Sequence, residues 1–208
     1  MESTKADRRR AAGERTRARL MDAALDLLAE RGGEVTLREL TDAADANVAA
    51  VSYHFGSLQS LCDAAIEAAL ERYLDAQQAA VGTLDSESTV DDLAAAFARP
   101  MIRALTRGGR DRAVIRIVAR VGADPPKGWR RFDARFDQIR ADALKVLKAN
   151  LPGVKAAELI FRTRCVAGML NWLALAPIGT ELSGKSEKQA ERLLVPIIAG
   201  AFSGACSD

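Results

Sequence analysis

The 208-residue sequence has little of what catalytic, metal-binding and secreted proteins need. It contains a single histidine, His54, which makes neither a metal site nor a catalytic triad. Its three cysteines are an odd number without Cys-x-x-Cys spacing, which argues against a disulfide framework and indicates a reducing cytoplasm. No phosphate-binding loop or dinucleotide fingerprint occurs. We therefore predict that the protein is not an enzyme and that it holds no cofactor and no metal.

Long apolar runs are also missing. The longest candidate, residues 166–178, is too short to span a bilayer and contains Asn171. The N-terminus is charged rather than apolar, so it is not expected to be a secretory signal. These features predict a cytoplasmic protein without a membrane-spanning segment.

Helical periodicity is what the sequence has in abundance. Few aromatic residues and only six prolines suit an all-α fold, and 49% hydrophobic residues suffice for a large core. About nine helices are expected, near residues 14–31, 36–44, 47–55, 58–80, 90–107, 111–121, 129–150, 155–176 and 190–203. Pro100 lies inside the fifth helix and is expected to kink or break it, and Pro196 lies inside the ninth and is expected to bend it.

Two short helices joined by a tight turn are the most informative feature. Thr36 and Glu39 have the spacing of a capping box for the first helix. Asn47 is a favourable N-cap for the second, and Asp45 at the turn tolerates a left-handed backbone. This arrangement is typical of a helix-turn-helix, which places its second helix in the major groove of DNA.

The surroundings of these two helices agree with that interpretation. The second helix is expected to bury Val48, Val51 and Phe55 and to turn small side chains outward, as a groove-reading helix requires. Residues 1–19 carry seven basic and three acidic side chains in a chain whose net charge is only +2. Alone, such a segment would fit a solvated tail equally well, but beside a helix-turn-helix it is interpreted as a phosphate-binding segment.

Residues 16–61 resemble the DNA-binding domain of the TetR (tetracycline repressor-like) family. The resemblance is carried by LMDAALDLLAERGG and by the run Tyr53-His54-Phe55-Gly56, and NVAAVSYHFGS is similar to a branch that reads NxAAVNYHFGS. Three positions depart from the family pattern: Thr41 replaces a small alanine, Asp45 a glycine, and Leu58 a lysine that touches phosphate. The last departure puts one DNA-backbone contact in question.

The resemblance implies a helix-turn-helix DNA-binding domain with a basic tail in residues 1–56. Residues 57–208 would form a helical domain for effector binding and dimerisation, and the fourth helix would link the two. Arg38 is the strongest candidate for a guanine contact. The predicted DNA-binding residues are Thr36, Arg38, Asn47, Val48, Ala49, Ala50, Ser52, Tyr53 and His54, with Arg8, Arg9 and Arg10 from the tail.

The last two helices are rich in alanine, glycine, leucine and isoleucine. The resemblance implies that they form a four-helix bundle between two copies of the chain, and reading two half-sites requires two DNA-binding domains at a fixed distance. The alternative is that these residues are the core of a monomer. The predicted interface residues are Leu159, Val166, Leu170, Leu194, Ile197, Ile198 and Phe202.

A ligand pocket among the fifth to eighth helices is likewise implied by the resemblance, with core packing as the alternative for each candidate. Arginines recur every fourth residue at positions 99–107 and 112–120. These two stripes are either solvated faces or a cationic edge that binds the anionic group of an apolar effector. The predicted ligand-binding residues are Phe97, Met101, Arg103, Ile115, Arg116, Trp129, Phe132, Phe136, Met169 and Trp172.

Together these features predict a homodimeric transcriptional regulator that binds double-stranded DNA. The main hypothesis is a repressor that leaves a palindromic operator when a small-molecule effector changes the separation of its DNA-binding domains. Two alternatives remain: a DNA-binding protein without an effector, acting constitutively or as an activator, and a helical carrier or enzyme that has lost sequence-specific DNA binding.

Overall fold

A computed structural model describes residues 2–31, 34–85, 87–123, 132–175, 182 and 184–204, with only the backbone given for residues 2–6 and 123. These residues contain nine α-helices and no β-strand, which confirms the all-α prediction. The helices are α1 (Glu2–Arg31), α2 (Leu37–Ala43), α3 (Val48–Phe55), α4 (Leu58–Val81), α5 (Val90–Arg107), α6 (Gly109–Ala123), α7 (Asp133–Asn150), α8 (Ala156–Leu175) and α9 (Glu187–Ser203).

The chain divides into two compact units, Met1–Leu70 and Glu71–Asp208, so α4 begins in the first unit and ends in the second. None of the described helices combines the length and the hydropathy that crossing a bilayer requires. Across the same residues, no three His, Cys, Asp or Glu side chains are grouped so that they could hold a metal ion.

The first helix is longer than its apolar periodicity predicts. It begins at Glu2 rather than near residue 14, so the basic segment is helical and not an extended tail. Alanine and arginine favour helix and are frequent in this segment, and no proline interrupts it. Apolar periodicity misses this stretch because none of the side chains described at residues 7–19 is buried, so no apolar stripe marks the helix.

The core of the first unit joins α1, α2 and α3, which pack against one another. Leu20, Leu40, Val51 and Leu61 have at most 1% of their surface exposed. Thr41, where the family pattern has alanine, is also buried, and its hydroxyl donates a hydrogen bond to the Arg38 carbonyl at 3.0 Å. Because the hydroxyl is paired, the substitution fits the core without leaving a buried polar group unsatisfied.

In the second unit, α5 lies at the centre and packs against α6, α7, α8 and α9. The rings of Phe97 on α5 and Phe202 on α9 meet edge to face, with centroids 5.7 Å apart. The C-terminal end of α9 is held by the buried Arg162 of α8, whose Nη1 donates to the Phe202 carbonyl at 2.6 Å. Glu158 accepts a hydrogen bond from Arg162 Nε at 3.0 Å and so pairs the buried charge.

Neither α5 nor α9 is interrupted at its proline, so the break that was one expectation for Pro100 does not occur. Pro100 has no N–H, so the carbonyl of Ala96, four residues earlier, loses its helical donor. The side chain of Gln77 on α4 supplies a replacement, because its Nε2 donates to Ala96 O at 3.5 Å. A tertiary hydrogen bond thus offsets part of the local cost of the proline.

Candidate functional site

The start of α2 is held by the predicted capping box. The Glu39 amide donates to Thr36 Oγ1 at 3.3 Å, and the Thr36 amide donates to Glu39 Oε2 at 3.0 Å. Arg31 also donates to the Glu39 carboxylate. The hydrogen bonds from Thr36, with a smaller contribution from Arg31, lower the pKa of Glu39 to about 2. This carboxylate is therefore ionised at neutral pH and secures the position of α2.

The turn and the start of α3 also agree with the sequence prediction. Asp45 has the left-handed φ of 45°, and its carboxylate pairs with Arg19 on α1 at 3.1 Å. Asn47 caps α3, because its Oδ1 accepts a hydrogen bond from the Ala50 amide at 2.8 Å. These contacts set the angle between the two short helices. The ion pair with Arg19 was not predicted, since its partners are 26 residues apart.

One face of α3 is open to solvent and carries Val48, Ala49, Ser52 and Tyr53. The exposed fractions are 51% for Val48 and 84% for Tyr53. Burial of Val48 was predicted and is wrong, since only Val51 of this helix is fully buried. The exposed face is small and mostly apolar, with one hydroxyl and one phenol, so it can approach base edges and thymine methyl groups closely.

His54 and Phe55 turn away from that face and lie against α1. The His54 ring lies beside Gly13 of α1, so close that a methyl group added at Gly13 would be 3.7 Å from His54 Cε1. The Arg17 guanidinium of α1 lies 5.0 Å from the centre of the Phe55 ring. The half-buried His54 therefore packs within the domain rather than on the open face of α3, where a base contact was expected. Consecutive side chains on an α-helix point about 100° apart, so His54 can face α1 although its neighbour Tyr53 faces solvent.

The other predicted DNA-binding residues are placed as follows. Thr36, Asn47 and Ala49 are exposed, and Ala50 is half-buried. The Arg38 side chain is 92% exposed, and its Nε lies 3.8 Å from Asp42 Oδ2. An ion pair this long on an exposed surface is too weak to fix the position of the arginine. The structure places the three tail arginines in the exposed part of α1: Arg8, Arg9 and Arg10.

Large apolar side chains that remain exposed fall on two surfaces of the described chain. Val48 and Tyr53 lie on α3, and the other four lie on α8 and α9, which are in contact. The four are Phe161 (66% exposed), Trp172 (56%), Leu193 (51%) and Ile197 (58%). We call them, with the intervening small residues Cys165, Gly168 and Gly200, the α8/α9 face.

Most of the predicted interface residues do not belong to the α8/α9 face. They are buried within the second unit, with at most 6% of their surface exposed: Leu159, Val166, Leu170, Leu194, Ile198 and Phe202. Of the seven predicted residues only Ile197 is exposed. These residues contribute to the core that α8 and α9 form with α5, α6 and α7, because an amphipathic helix first buries an apolar stripe against its own chain.

Described residues of the second unit line at least two cavities. The first, the Arg103 cavity, has a volume of about 240 Å³ and lies among α4, α5 and α6. Arg72 pairs with Asp111 at 2.7 Å and Arg107 pairs with Glu187 at 2.7 Å, while Arg103 has no ion pair with any described residue. The walls are otherwise apolar: Tyr73, Ala76, Pro100, Val114 and Ile115.

The second cavity, the Phe97 cavity, has a volume of about 230 Å³ and is lined by residues of α4, α5, α6, α7 and α8. Its lining is Tyr73, Gln77, Phe97, Val118, Gly122, Phe136, Ile139, Arg140, Thr163, Arg164, Ala167 and Asn171. Desolvation raises the pKa of Tyr73, which lines both cavities, to about 12, so the phenol stays protonated.

The structure divides the predicted ligand-binding residues rather than collecting them in one pocket. Phe97 and Phe136 line the Phe97 cavity, and Arg103 and Ile115 line the Arg103 cavity. The others line neither: Met101 and Phe132 are buried in the core, Arg116 and Met169 are half-buried, and Trp172 is exposed on the α8/α9 face. Trp129 lies outside the described residues.

The two arginine stripes differ in their surroundings. The arginines of α5, at positions 99, 103 and 107, are exposed, and those of α6, at positions 112, 116 and 120, are half-buried. Tyr73 and Gln77 on α4 are among the cavity residues that the sequence did not reveal. A glutamine on a helix is normally interpreted as a surface residue, and only the packing of α4 in the second unit shows that Gln77 is buried.

Comparison with known proteins agrees with this architecture. The family model described as "Bacterial regulatory proteins, tetR family" matches residues 20–65, and "Tetracyclin repressor-like, C-terminal domain" matches residues 95–201, just over half of the chain. No curated protein sequence matches the chain.

Solved structures share the fold at low sequence identity. A TetR-like transcriptional regulator from Rhodococcus sp. RHA1 is 17% identical, over 91% of this chain and 97% of its own, with a TM-score of 0.65. The TetR family transcriptional regulator PfmR from Thermus thermophilus is 19% identical over the same shares, with a TM-score of 0.60. Because both family models match this chain, it belongs to the TetR family of transcriptional regulators, and its helix-turn-helix is a DNA-binding domain.

Proposed function

We propose that the protein is a homodimeric repressor that binds a palindromic operator and is released from it by a small-molecule effector. The observation that carries the proposal is the distribution of exposed apolar side chains. Among the described residues, the six large ones lie only on the open face of α3 and on the α8/α9 face. Exposed apolar surface of this kind marks interaction sites, and these two surfaces match what a dimeric DNA reader needs.

DNA recognition is assigned to the open face of α3 and to Arg38. Val48, Ala49, Ser52 and Tyr53 would face the major groove, and Arg38 would reach a base or a phosphate from α2. The arginines at positions 8–10 would add sequence-independent affinity that falls with salt, because each neutralised phosphate releases counterions. Specificity would therefore come from few groups, and a large share of the affinity from α1.

Selection of bound sequences from random duplex DNA tests this part of the proposal. The expected result is an enriched palindrome whose half-sites are separated by about one helical turn or a multiple of it. Titration of the winning duplex at two salt concentrations should give specific binding above a salt-sensitive background. Salt-sensitive binding without an enriched sequence would overturn it and would favour a carrier or enzyme that no longer reads DNA.

Dimerisation is assigned to the α8/α9 face. Phe161, Cys165, Gly168 and Trp172 follow one another at intervals of four, three and four residues, so they share one side of α8. Leu193, Ile197 and Gly200 repeat this spacing on α9. Apolar residues at these intervals are typical of helices that pack on other helices, and glycines allow close approach. A second copy of the chain would cover both helices in a two-fold symmetric bundle.

The reactivity of Cys165 offers a direct test of this interface. Cys165 is exposed in the single chain, whereas Cys62 is buried. In a Cys206→Ser background, a maleimide should label Cys165 slowly at high protein concentration and faster as dilution separates the subunits. Labelling that is fast and independent of concentration, together with a monomeric mass in sedimentation, would contradict the proposal.

Effector binding is assigned to the second unit, with Arg103 as the group that recognises an anion. Arg103 is the arginine of the Arg103 cavity without an ion pair to a described residue, and part of the cavity wall is apolar, formed by Ala76, Pro100, Val114 and Ile115. An effector with an apolar body and a carboxylate or phosphate would satisfy both features. Binding would release the operator only as far as the effector prefers the conformation that does not bind DNA.

A matched pair of variants tests the role of Arg103. Arg99 lies one helical turn earlier on α5, is exposed, and lines neither cavity. With octanoate and octanol as probes, wild type and Arg99→Ala should release operator DNA at lower concentrations of the carboxylate than of the alcohol. Arg103→Ala should lose this preference while keeping its DNA affinity. An unchanged preference in Arg103→Ala would refute the assignment.

A further inference from the structure

The two cavities follow one another along the same faces of α5 and α6. On α5 the lining passes from Arg103 and Pro100, in the Arg103 cavity, to Phe97, in the Phe97 cavity. On α6 it passes from Ile115 to Val118. Each step across the boundary is three residues, so the residues on its two sides share a helix face and lie about one turn, roughly 5 Å, apart. The cavities therefore occupy successive turns of one groove.

Tyr73 on α4 stands where the two cavities meet. Among the described residues, Tyr73 alone lines both, whereas Ala76 lines only the Arg103 cavity and Gln77 only the Phe97 cavity. Desolvation raises the pKa of the Tyr73 phenol to about 12, as expected for a ring packed between helices. A side chain that contacts two neighbouring cavities lies between them, so Tyr73 forms the wall that divides the groove.

The sizes of the two halves show what this wall controls. A methylene group needs about as much room as a water molecule, about 30 Å³, so the Arg103 cavity of about 240 Å³ holds a chain of roughly eight carbon atoms. The Phe97 cavity, with about 230 Å³, holds nearly as many again. Each half is smaller than the roughly 300–1,000 Å³ of most ligand pockets, and the two halves together fall within that range.

We propose that Tyr73 determines the chain length that the effector site accepts, because its ring ends the Arg103 cavity after roughly eight carbon atoms of an unbranched carboxylate. The inference rests on the proposed effector function, in which Arg103 binds the anionic group. The chain then lies along Pro100 and Ile115 until it meets Tyr73. Each methylene buried before the wall strengthens binding roughly fourfold, and each methylene beyond it stays in water and adds almost nothing.

Hexanoate, octanoate and dodecanoate test the length limit by direct calorimetric titration of the full chain. Wild type should bind octanoate about fifteenfold more tightly than hexanoate, and dodecanoate less than about threefold more tightly than octanoate. In Tyr73→Ala the four additional methylenes of dodecanoate can enter the Phe97 cavity, so its advantage over octanoate should rise to the order of a hundredfold. Tyr73→Phe keeps the ring and should behave like wild type.

A second substitution shows where the additional chain goes. Val118 is buried on α6 and lines the Phe97 cavity but not the Arg103 cavity. In the Tyr73→Ala background, Val118→Phe should fill the Phe97 cavity, remove the advantage of dodecanoate and leave octanoate binding unchanged. If circular dichroism showed that Tyr73→Ala does not fold, Tyr73→Leu would replace it, since leucine removes the ring and keeps an apolar side chain; its expected gain is about tenfold.

Three results would overturn the inference. They are a wild-type affinity that keeps rising about fourfold per methylene from octanoate to dodecanoate, no gain for dodecanoate when the ring is removed, and a gain that survives Val118→Phe. Any of these, combined with octanoate binding that is lost in Arg103→Ala, would leave the proposed effector site standing. If wild type bound none of the three acids, the inference and the assignment of Arg103 would fall together.

Discussion

Ile197 offers the sharpest test of the proposed dimer. Replacement by alanine removes three carbon atoms, worth about 2.4 kcal/mol when fully buried, at about 0.8 kcal/mol each. Because 58% of Ile197 is exposed in the single chain, a partner could cover at most that share, or about 1.4 kcal/mol. A two-fold interface contains the residue twice, so Ile197→Ala should weaken the dimer by about 2.8 kcal/mol, which is roughly a hundredfold in Kd.

Sedimentation equilibrium over a range of protein concentrations measures that change. The stability of the single chain should stay close to that of wild type, because the removed atoms lie on an exposed surface. Arg192→Ala is the control, since Arg192 is an exposed residue of α9 outside the α8/α9 face. If Ile197→Ala dimerised as tightly as wild type, or if Arg192→Ala weakened the dimer equally, the assignment of this face to a second subunit would fail.

Two further predictions concern the DNA-binding domain. Arg38→Ala should weaken operator binding by roughly 1–3 kcal/mol and relax specificity at one base pair, which a binding titration on singly substituted operators measures; an equal loss on every sequence would make Arg38 a phosphate contact. The pKa of Glu39 is lowered to about 2 from an ordinary 4.5, so its ionised form stabilises the fold above about pH 4.5, and this contribution is lost as pH falls towards 2. Glu39→Gln cannot titrate, so the difference in free energy of unfolding between wild type and this variant should shrink over that interval, as measured by urea unfolding at several pH values. A difference that stays constant with pH would contradict the capping role of the carboxylate.

The local structure of the DNA-binding domain was predictable from sequence because short-range chemistry decides it. Thr36, Glu39, Asp45 and Asn47 act within three or four residues of their own position, as caps or as a turn residue, so their roles follow from their spacing. The start of α1 was missed for the opposite reason. None of the side chains described at residues 7–19 is buried, and apolar periodicity detects only helices that bury one face.

The orientation of individual side chains was less predictable than the helices that carry them. Val48 is apolar but exposed, and the polar His54 lies against α1. The predicted interface residues show the same limit, since Leu159 and Ile198 are apolar residues of α8 and α9 and yet are buried in the core of one chain, whereas the equally apolar Ile197 is exposed. Sequence pattern identifies an apolar stripe, but not which of two partners, the rest of the chain or a second copy, will cover it.

The sequence by itself determined the helices, their caps and the helix-turn-helix, because hydrogen bonds and side-chain spacing within a few residues specify them. Only the tertiary structure decided that Tyr73 and Gln77 line cavities, that Arg103 differs from Arg99, and that Ile197 stays outside the core. Each of these depends on which helices meet in the second unit. Burial, and with it the presence or absence of a hydrogen-bond partner, is a property of several helices together and cannot be read from any one of them.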